Sequence, residues 1–137
     1  MEIVSEAHTL ASKTSIPSES VQSLLEHQYG PLASSISHRL LSGAYLPPKG
    51  SKPWSSLDLA IKDVGHGVKM ARDNGMRLDV GETALGNLLE AKMISEKEME
   101  GRELDSSSLF GVVRRNAGLD FETPGVKERD GTGSQLL

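Results

Sequence analysis

The chain has 137 residues, of which 36% are hydrophobic, and its formal net charge is −4. This length supports one modest domain with its own core rather than two. The acidic balance argues against a nucleic-acid or membrane-surface binder, and the absence of cysteine excludes a disulfide scaffold and a thiolate metal site. No run approaches the roughly 20 apolar residues of a membrane span and no signal-peptide pattern opens the chain, so we expect a cytoplasmic protein.

Apolar residues at helical spacing predict three helices in the first part of the chain. The first has no capping residue before it, which suggests that it once extended further upstream; its apolar residues are Ile3, Val4, Ala7, Leu10 and Ala11. The second is expected between Pro17 and Gly30, with the inward residues Val21, Leu24 and Leu25. Pro31 suits the first position of the third helix, whose core-facing residues would be Leu32, Ile36, Leu40 and Leu41.

A loop and an aromatic residue come next. Residues 42–53, SGAYLPPKGSKP, include two adjacent prolines and two glycines, which predicts an irregular segment. The loop leads to Trp54, the single tryptophan of the chain. Because large aromatic side chains are usually buried for their apolar area, we expect Trp54 to form a lid over the core.

The stretch from Ser55 to Gly75 predicts an amphipathic helix about 18 residues long. Its start resembles a capping box formed by Ser55 and Asp58, and Asn74-Gly75 is a typical helix stop. One face is apolar, with Leu57, Ala60, Ile61, Val64, Val68 and Ala71. Another stripe is polar, with Lys62, His66, Lys69 and Asp73.

The remaining helices are predicted from caps and spacing. Asp79 with Glu82 indicates a capping box for a helix whose inward residues would be Val80, Ala84, Leu85, Leu88, Leu89 and Met93. Ser95 would begin a short acidic helix, and Asp105 or Ser106 would cap a last helix through Arg115. No segment alternates apolar and polar residues as a strand does, so we expect an all-α fold of about six helices over 1–118. The polar, Gly-rich segment 119–137 predicts a disordered tail.

The segment Leu59-Ala60-Ile61-Lys62-Asp63, followed by a helix, the Gly75 stop and a second helix, resembles a known family. It is similar to the C-terminal all-helical domain of the β-hydroxyacid dehydrogenases, the group of 3-hydroxyisobutyrate dehydrogenase, related to 6-phosphogluconate dehydrogenase. The resemblance spans roughly Glu6 to Gly118, and its other matching segments are Glu6-Ala7 with Leu10-Ala11, Gly101, and Asp105-Ser106-Ser107.

The resemblance implies an oxidoreductase domain that contacts NAD or NADP. Lys62 would contact the cofactor, against the alternative of a solvated surface lysine. Asp63 would lie on the substrate side or orient Lys62, against the alternative of a surface acid. His66 would be a proton carrier or an inert exposed histidine. Trp54 stands one residue before the place where relatives carry an active-site aromatic, so it would reshape that pocket; here Ser55 occupies the place.

We identify no catalytic residue and no metal site in the chain. In the family the catalytic lysine and a substrate-positioning asparagine lie upstream of the segment that corresponds to Glu6. The segment Gly65 to Met70 lacks the third glycine of a dinucleotide fingerprint and lies within a predicted helix. The four histidines have no metal-ligand spacing; they are His8, His27, His38 and His66.

These observations predict a chain that is incomplete for catalysis alone. The resemblance implies two partners, a second copy in a homodimer and a missing or separate nucleotide-binding domain. One alternative is a stand-alone, non-catalytic helical dimerisation module. Another is a repurposed small enzyme that does cofactor-independent acid–base chemistry between two protomers, near Trp54, Lys62, Asp63 and His66.

Overall fold

The computed structural model of the chain describes residues 1–131 and is all-α over that range, as the sequence predicts. Its helices are α1 (Glu2–Thr14), α2 (Ser18–Leu41), α3 (Leu57–Asp73), α4 (Asp79–Glu98), α5 (Leu109–Asn116) and α6 (Pro124–Asp130). Within these residues, none of the helices has the length and apolar composition needed to cross a membrane.

One hydrophobic core joins all six helices and the loop after α2. Helix α1 packs against α2 and α5, and α4 packs against α3 and α5. Tyr45, from the predicted loop, is fully buried, and its ring meets that of Phe110 edge to face with centroids 5.1 Å apart. Its hydroxyl donates to the carbonyl of Phe121 (2.9 Å) and accepts from the amide of Thr123 (2.8 Å). The loop therefore supplies the centre of the core.

Helix α2 is kinked where the sequence predicts a break between two helices. Gly30 has φ 75° and ψ −167°, a conformation that other residues rarely adopt, and Pro31 follows it. Leu25 and Leu40 are buried as expected, whereas Leu24 and Leu32 are exposed. The inward prediction for these two is wrong because α2 packs mainly on α1, which covers a single face of it.

Two predicted helix caps are also wrong. Ser56, not Ser55, is the N-cap of α3, and its hydroxyl accepts the amide of Asp58 at 3.2 Å. Helix α4 begins at Asp79 without a side-chain cap. Glu82 instead accepts a hydrogen bond from Arg72 Nε at 3.1 Å, so it links α4 to α3.

Helix α4 continues through the predicted acidic helix and ends at Glu98. Ser95 is buried in its last turn and donates to the carbonyl of Arg102 at 2.6 Å. The face of α4 that reaches the core is rotated from the predicted one. It consists of Leu88, Ala91 and Ile94, while Val80, Leu89 and Met93 are exposed.

The predicted disordered tail is ordered over residues 119–131. Phe121 and Val126 are buried in the core, and Thr123 caps α6. Arg129 Nη2 donates to the carbonyl of Leu46 at 2.7 Å, and Asp130 pairs with Arg102 at 2.7 Å. The core therefore extends beyond the predicted boundary at residue 118. Residues 132–137, also predicted as tail, lie outside the described residues.

Candidate functional site

Helix α3 carries three of the predicted site residues on one stripe that faces solvent. Lys62, Asp63 and His66 are exposed, and the helical repeat aligns them with two exposed apolar residues, Leu59 and Met70. We call these five residues the α3 outer face. The opposite face packs on the core through Leu57, Ala60, Ile61 and Val64. The amphipathic pattern of α3 thus fixes which side of the helix is free to meet another molecule.

Lys62 and Asp63 form an ion pair on this face, with Nζ 3.2 Å from Oδ1. Both side chains are more than half exposed, so the pair contributes little to folding stability. A lysine ammonium has three donors, and one carboxylate does not use them all. Lys62 is therefore able to bind an anionic group while it remains paired with Asp63.

Trp54 lies at the approach to α3 and is 85% exposed, so the predicted lid over the core is wrong. The side chain lies beside Arg39, whose guanidinium carbon is 4.5 Å from the ring centroid, a cation–π contact. The core under the loop is already filled by Tyr45 and Leu46, both fully buried. Trp54 is thus a large, exposed apolar side chain that is in contact with the Arg39 guanidinium.

The Arg39 guanidinium is held in turn by a buried carboxylate. Asp105 is 1% exposed at its side chain, and its Oδ1 accepts from Arg39 Nη2 at 2.6 Å. Ser107 donates to the same oxygen from its amide (3.0 Å) and hydroxyl (2.5 Å), and the amide of Ser55 donates to Oδ2 at 3.1 Å. Burial acts to raise the pKa of Asp105, but the hydrogen bonds from Ser107, Arg39 and Ser55 outweigh it, so the pKa is lowered.

This network fixes the start of α3. The amide of Leu57 donates to the carbonyl of Leu104 at 3.0 Å, and the amide of Ser106 donates to the carbonyl of Ser55 at 2.7 Å. Asp105 was predicted to cap a helix; instead it binds Arg39 and Ser55, which are close to it in space but distant in sequence. Sequence spacing gives no signal for such contacts. The prediction therefore missed both Asp105 and Arg39 as supports of the site.

A cavity of about 290 Å³ lies at the first turn of α3. Its wall includes Lys52, Lys92 and Arg102, which would suit an anion. Lys92, however, is 3.0 Å from Asp58, and Arg102 pairs with Asp130 at 2.7 Å. Since two of the three cations are already paired, we assign no ligand to this cavity.

The chain is similar to the NADH-dependent oxidoreductase ucdB of Aspergillus ustus, with 27% identity over 124 residues. The aligned region covers 90% of this chain and 41% of that protein, so the chain spans about two fifths of the relative's length. No protein-family model and no solved structure matches the chain. The similarity is therefore to one part of a longer protein.

The four residues predicted for the site divide into two groups. Lys62, Asp63 and His66 lie together on the α3 outer face, whereas Trp54 precedes the helix and contacts Arg39. The cavity at the first turn of α3 is lined by Pro53 and Ser56 but not by Trp54. The arrangement is an exposed surface with a cation, a carboxylate and flanking apolar side chains, which suits contact with another molecule more than enclosed catalysis.

Proposed function

We propose that the chain is the helical domain of an NAD(P)-dependent oxidoreductase of the β-hydroxyacid dehydrogenase type. The observation that carries the proposal is the similarity to the NADH-dependent oxidoreductase over 90% of the chain. The all-α architecture agrees with the helical domain that the segment Leu59 to Asp63 resembles. In this function the α3 outer face borders a cleft whose other wall is a nucleotide-binding domain.

Lys62 is the residue we assign to cofactor contact, with NAD or NADP as the cofactor. Its ammonium would donate to a phosphate or a ribose hydroxyl, and a rigid helix with an anchored start supports that position. Asp63 would orient Lys62 or face the substrate, since the two already pair at 3.2 Å. Leu59 and Met70 would supply apolar contact on either side, and His66 would act as a proton carrier at the same surface.

Exposed apolar residues support an assembly. Six large hydrophobic side chains on α3, α4 and their connection are about half exposed or more: Leu59, Met70, Met76, Val80, Leu89 and Met93. We interpret these side chains as parts of an interface, because large exposed apolar patches usually mark contact with another chain or domain. We propose that these helices meet a nucleotide-binding domain and a second copy of the chain, giving a homodimer.

A titration of the purified chain with NADH and NADPH, followed by calorimetry and Trp54 fluorescence, tests the cofactor contact. We expect saturable binding that Lys62→Ala weakens about tenfold, because losing one charge-assisted hydrogen bond costs about 1.5 kcal/mol. The matched control is Lys69→Ala, which removes an exposed lysine of the same helix that pairs with Asp73. Equal weakening by both variants would contradict the assignment of Lys62. Absence of binding at millimolar cofactor would show that the chain alone has no cofactor surface, and would leave a dehydrogenase fragment or an assembly module as the function.

The stand-alone dimerisation module is a second candidate, favoured by the same exposed apolar side chains. Sedimentation equilibrium distinguishes it: concentration-dependent association without cofactor binding would favour the module. The cofactor-independent enzyme has least support, because Lys62, Asp63 and His66 are exposed, whereas acid–base groups gain from a position shielded from water. A catalytic pH profile that Lys62→Ala or His66→Ala changes would be needed to support it.

A further inference from the structure

Helix α1 carries a stripe of exposed side chains on the side that faces away from its neighbours. Its members are spaced by three and four residues, so the helical repeat places them on one side of the helix. Ile3 is 68% exposed and Leu10 is 63% exposed, and the charged residues Glu6 and Lys13 are exposed with them. We call these four residues the α1 stripe. The opposite side of α1 packs on α2 and α5.

The two charges of the α1 stripe are unpaired. Among residues 1–131, neither Glu6 nor Lys13 has an ion-pair partner within 4 Å. On α3, by contrast, Lys62, Lys69 and Arg72 each pair with an acid. Glu6 and Lys13 are seven residues apart, which is about 10 Å along a helix, so they do not pair with each other. Both charges are therefore available to another molecule.

The α1 stripe is complementary to itself when the helix is reversed. Along the chain it is apolar, acidic, apolar and then basic. When two copies of α1 lie antiparallel about a two-fold axis beside Leu10, Glu6 of each copy lies opposite Lys13 of the other. The two Leu10 side chains then meet at the axis, and Ile3 lies opposite Ile16, which is 48% exposed. A two-fold contact joins one patch to an identical patch, so it requires this kind of self-complementarity.

A groove beside the α1 stripe gives a second helix room to approach. It has a volume of about 450 Å³ and lies between α1, α4 and α5. Glu6, Leu10 and Lys13 line it from α1, and Val113 and Ala117 are apolar residues of its wall. Packed helices place the side chains of one in the grooves of the other. Leu10 of a second copy, close to the two-fold axis, is placed to enter this groove.

We propose that α1 binds the α1 of a second copy of the chain, antiparallel and about a two-fold axis beside Leu10. A parallel pair would instead place Glu6 against Glu6 and Lys13 against Lys13, and like charges repel. The contact differs from the one proposed on α3 and α4, because it is centred on another helix. It involves no cofactor, so its test is independent of the proposed oxidoreductase function.

A single cysteine tests the contact, because the chain has none of its own. Leu10→Cys places a thiol beside the two-fold axis. In helices about 8 to 10 Å apart, facing Cα atoms come within the roughly 4.4 to 6.8 Å that a disulfide spans. The control is Leu24→Cys, at a position of α2 that is 58% exposed.

Non-reducing electrophoresis during air oxidation measures how fast each variant forms a disulfide-linked dimer. We expect Leu10→Cys to cross-link at least about tenfold faster than Leu24→Cys, because the contact raises the local concentration of one thiol near the other. The rates are corrected for the reactivity of each thiol with a small alkylating reagent. Equal corrected rates would overturn the proposal.

Charge reversals in the Leu10→Cys chain test the pairing of Glu6 with Lys13. Glu6→Lys turns both of these contacts in the dimer into repulsions, so we expect it to slow cross-linking at least about fivefold, and Lys13→Glu should do the same. The double variant Glu6→Lys/Lys13→Glu exchanges the two charges and should restore the rate to within about twofold. Glu19→Lys, at an exposed acid of α2, is the matched control and should not slow the reaction.

The net charge of the chain makes the direction of these effects informative. Because the chain carries a charge of −4, Glu6→Lys makes it less negative, and a loose association controlled by net charge would become stronger. The proposed contact requires the opposite result. A rate that Glu6→Lys does not lower, or a double variant that remains as slow as the single ones, would overturn the proposal.

Discussion

Arg39 and Asp105 join α2 to the segment before α5 through a 2.6 Å hydrogen bond between a guanidinium and a carboxylate that is 1% exposed. The two residues are 66 positions apart in the chain. The same pair supports both Trp54, through the Arg39 contact, and the start of α3, through Ser55. A single buried carboxylate therefore organises the surface that surrounds the candidate site.

Replacing this carboxylate should strongly destabilise the fold. We expect Asp105→Ala to lower the free energy of unfolding by about 3 to 5 kcal/mol, since it leaves Arg39 and the amide of Ser55 without their partner. Urea unfolding followed by circular dichroism measures the change. Asp63→Ala, at an exposed acid of α3, is the control and should change stability by less than about 0.5 kcal/mol. Similar values for the two variants would contradict the role of Asp105.

Asp130 should make stability fall in acid. The hydrogen bond from Arg129, opposed by burial and aided by Arg102, lowers the pKa of Asp130 from 3.8 to about 2. The unfolded chain therefore binds a proton more readily than the folded one, and the stabilisation is present above about pH 4 and lost as pH falls toward 2. Unfolding free energies measured from pH 5 to pH 2 should show this slope, and Asp130→Asn should reduce it. An unchanged slope in that variant would oppose the interpretation.

His8 should produce a second pH dependence, nearer neutrality. The side chain is 1% exposed between α1 and α2, its Nε2 lies 2.7 Å from Ser37 Oγ, and burial lowers its pKa from 6.5. The unfolded chain takes up a proton first, so stability should decrease as pH falls below about 6.5. The measurement is the unfolding free energy between pH 8 and pH 5. His8→Asn should remove the slope, and His27→Asn, at an exposed position of α2, should retain it.

Gly111 should tolerate no side chain. An added Cβ would lie 2.5 Å from ring atoms of Phe121, too close for the buried ring to remain in place. We expect Gly111→Ala to lower the free energy of unfolding by about 1 to 3 kcal/mol through overpacking. At Gly86 in α4, an added Cβ has no atom within 4 Å, so Gly86→Ala should stabilise the helix by about 0.5 to 1 kcal/mol. Thermal unfolding of both variants checks the contrast; equal stability of Gly111→Ala and the unmodified chain would argue against the packing of Phe121.

Helix α3 could be predicted from the sequence because its apolar repeat runs unbroken from Leu57 to Val68. The same repeat placed Lys62, Asp63 and His66 on the free face. The burial of Trp54 could not be predicted in this way, because no local sequence pattern indicates whether a single aromatic side chain is buried or exposed. Its exposure depends on Tyr45 and Leu46, which fill the core beneath the loop.

The prediction of a disordered tail after Gly118 was wrong for a related reason. Phe121 and Val126 are two apolar residues in a polar stretch, too few to establish a helical period. They are buried because they pack in the same core as Tyr45 and Phe110, which are distant in sequence. Likewise, the partners of Asp105 lie up to 66 residues away, beyond the reach of any capping rule.

The contacts of Arg102 bear on where a recombinant form of this chain should end. Its Nε donates to the carbonyl of Pro47 at 3.0 Å, and its Nη2 pairs with Asp130 at 2.7 Å. This one side chain therefore links α6 to the loop that carries Tyr45. A recombinant chain that ends at Gly118 would lack Phe121 and Val126, and the aromatic side chains of Tyr45 and Phe110 would become exposed. Such a truncation should aggregate on expression, and a boundary placed after Asp130 is the one to choose.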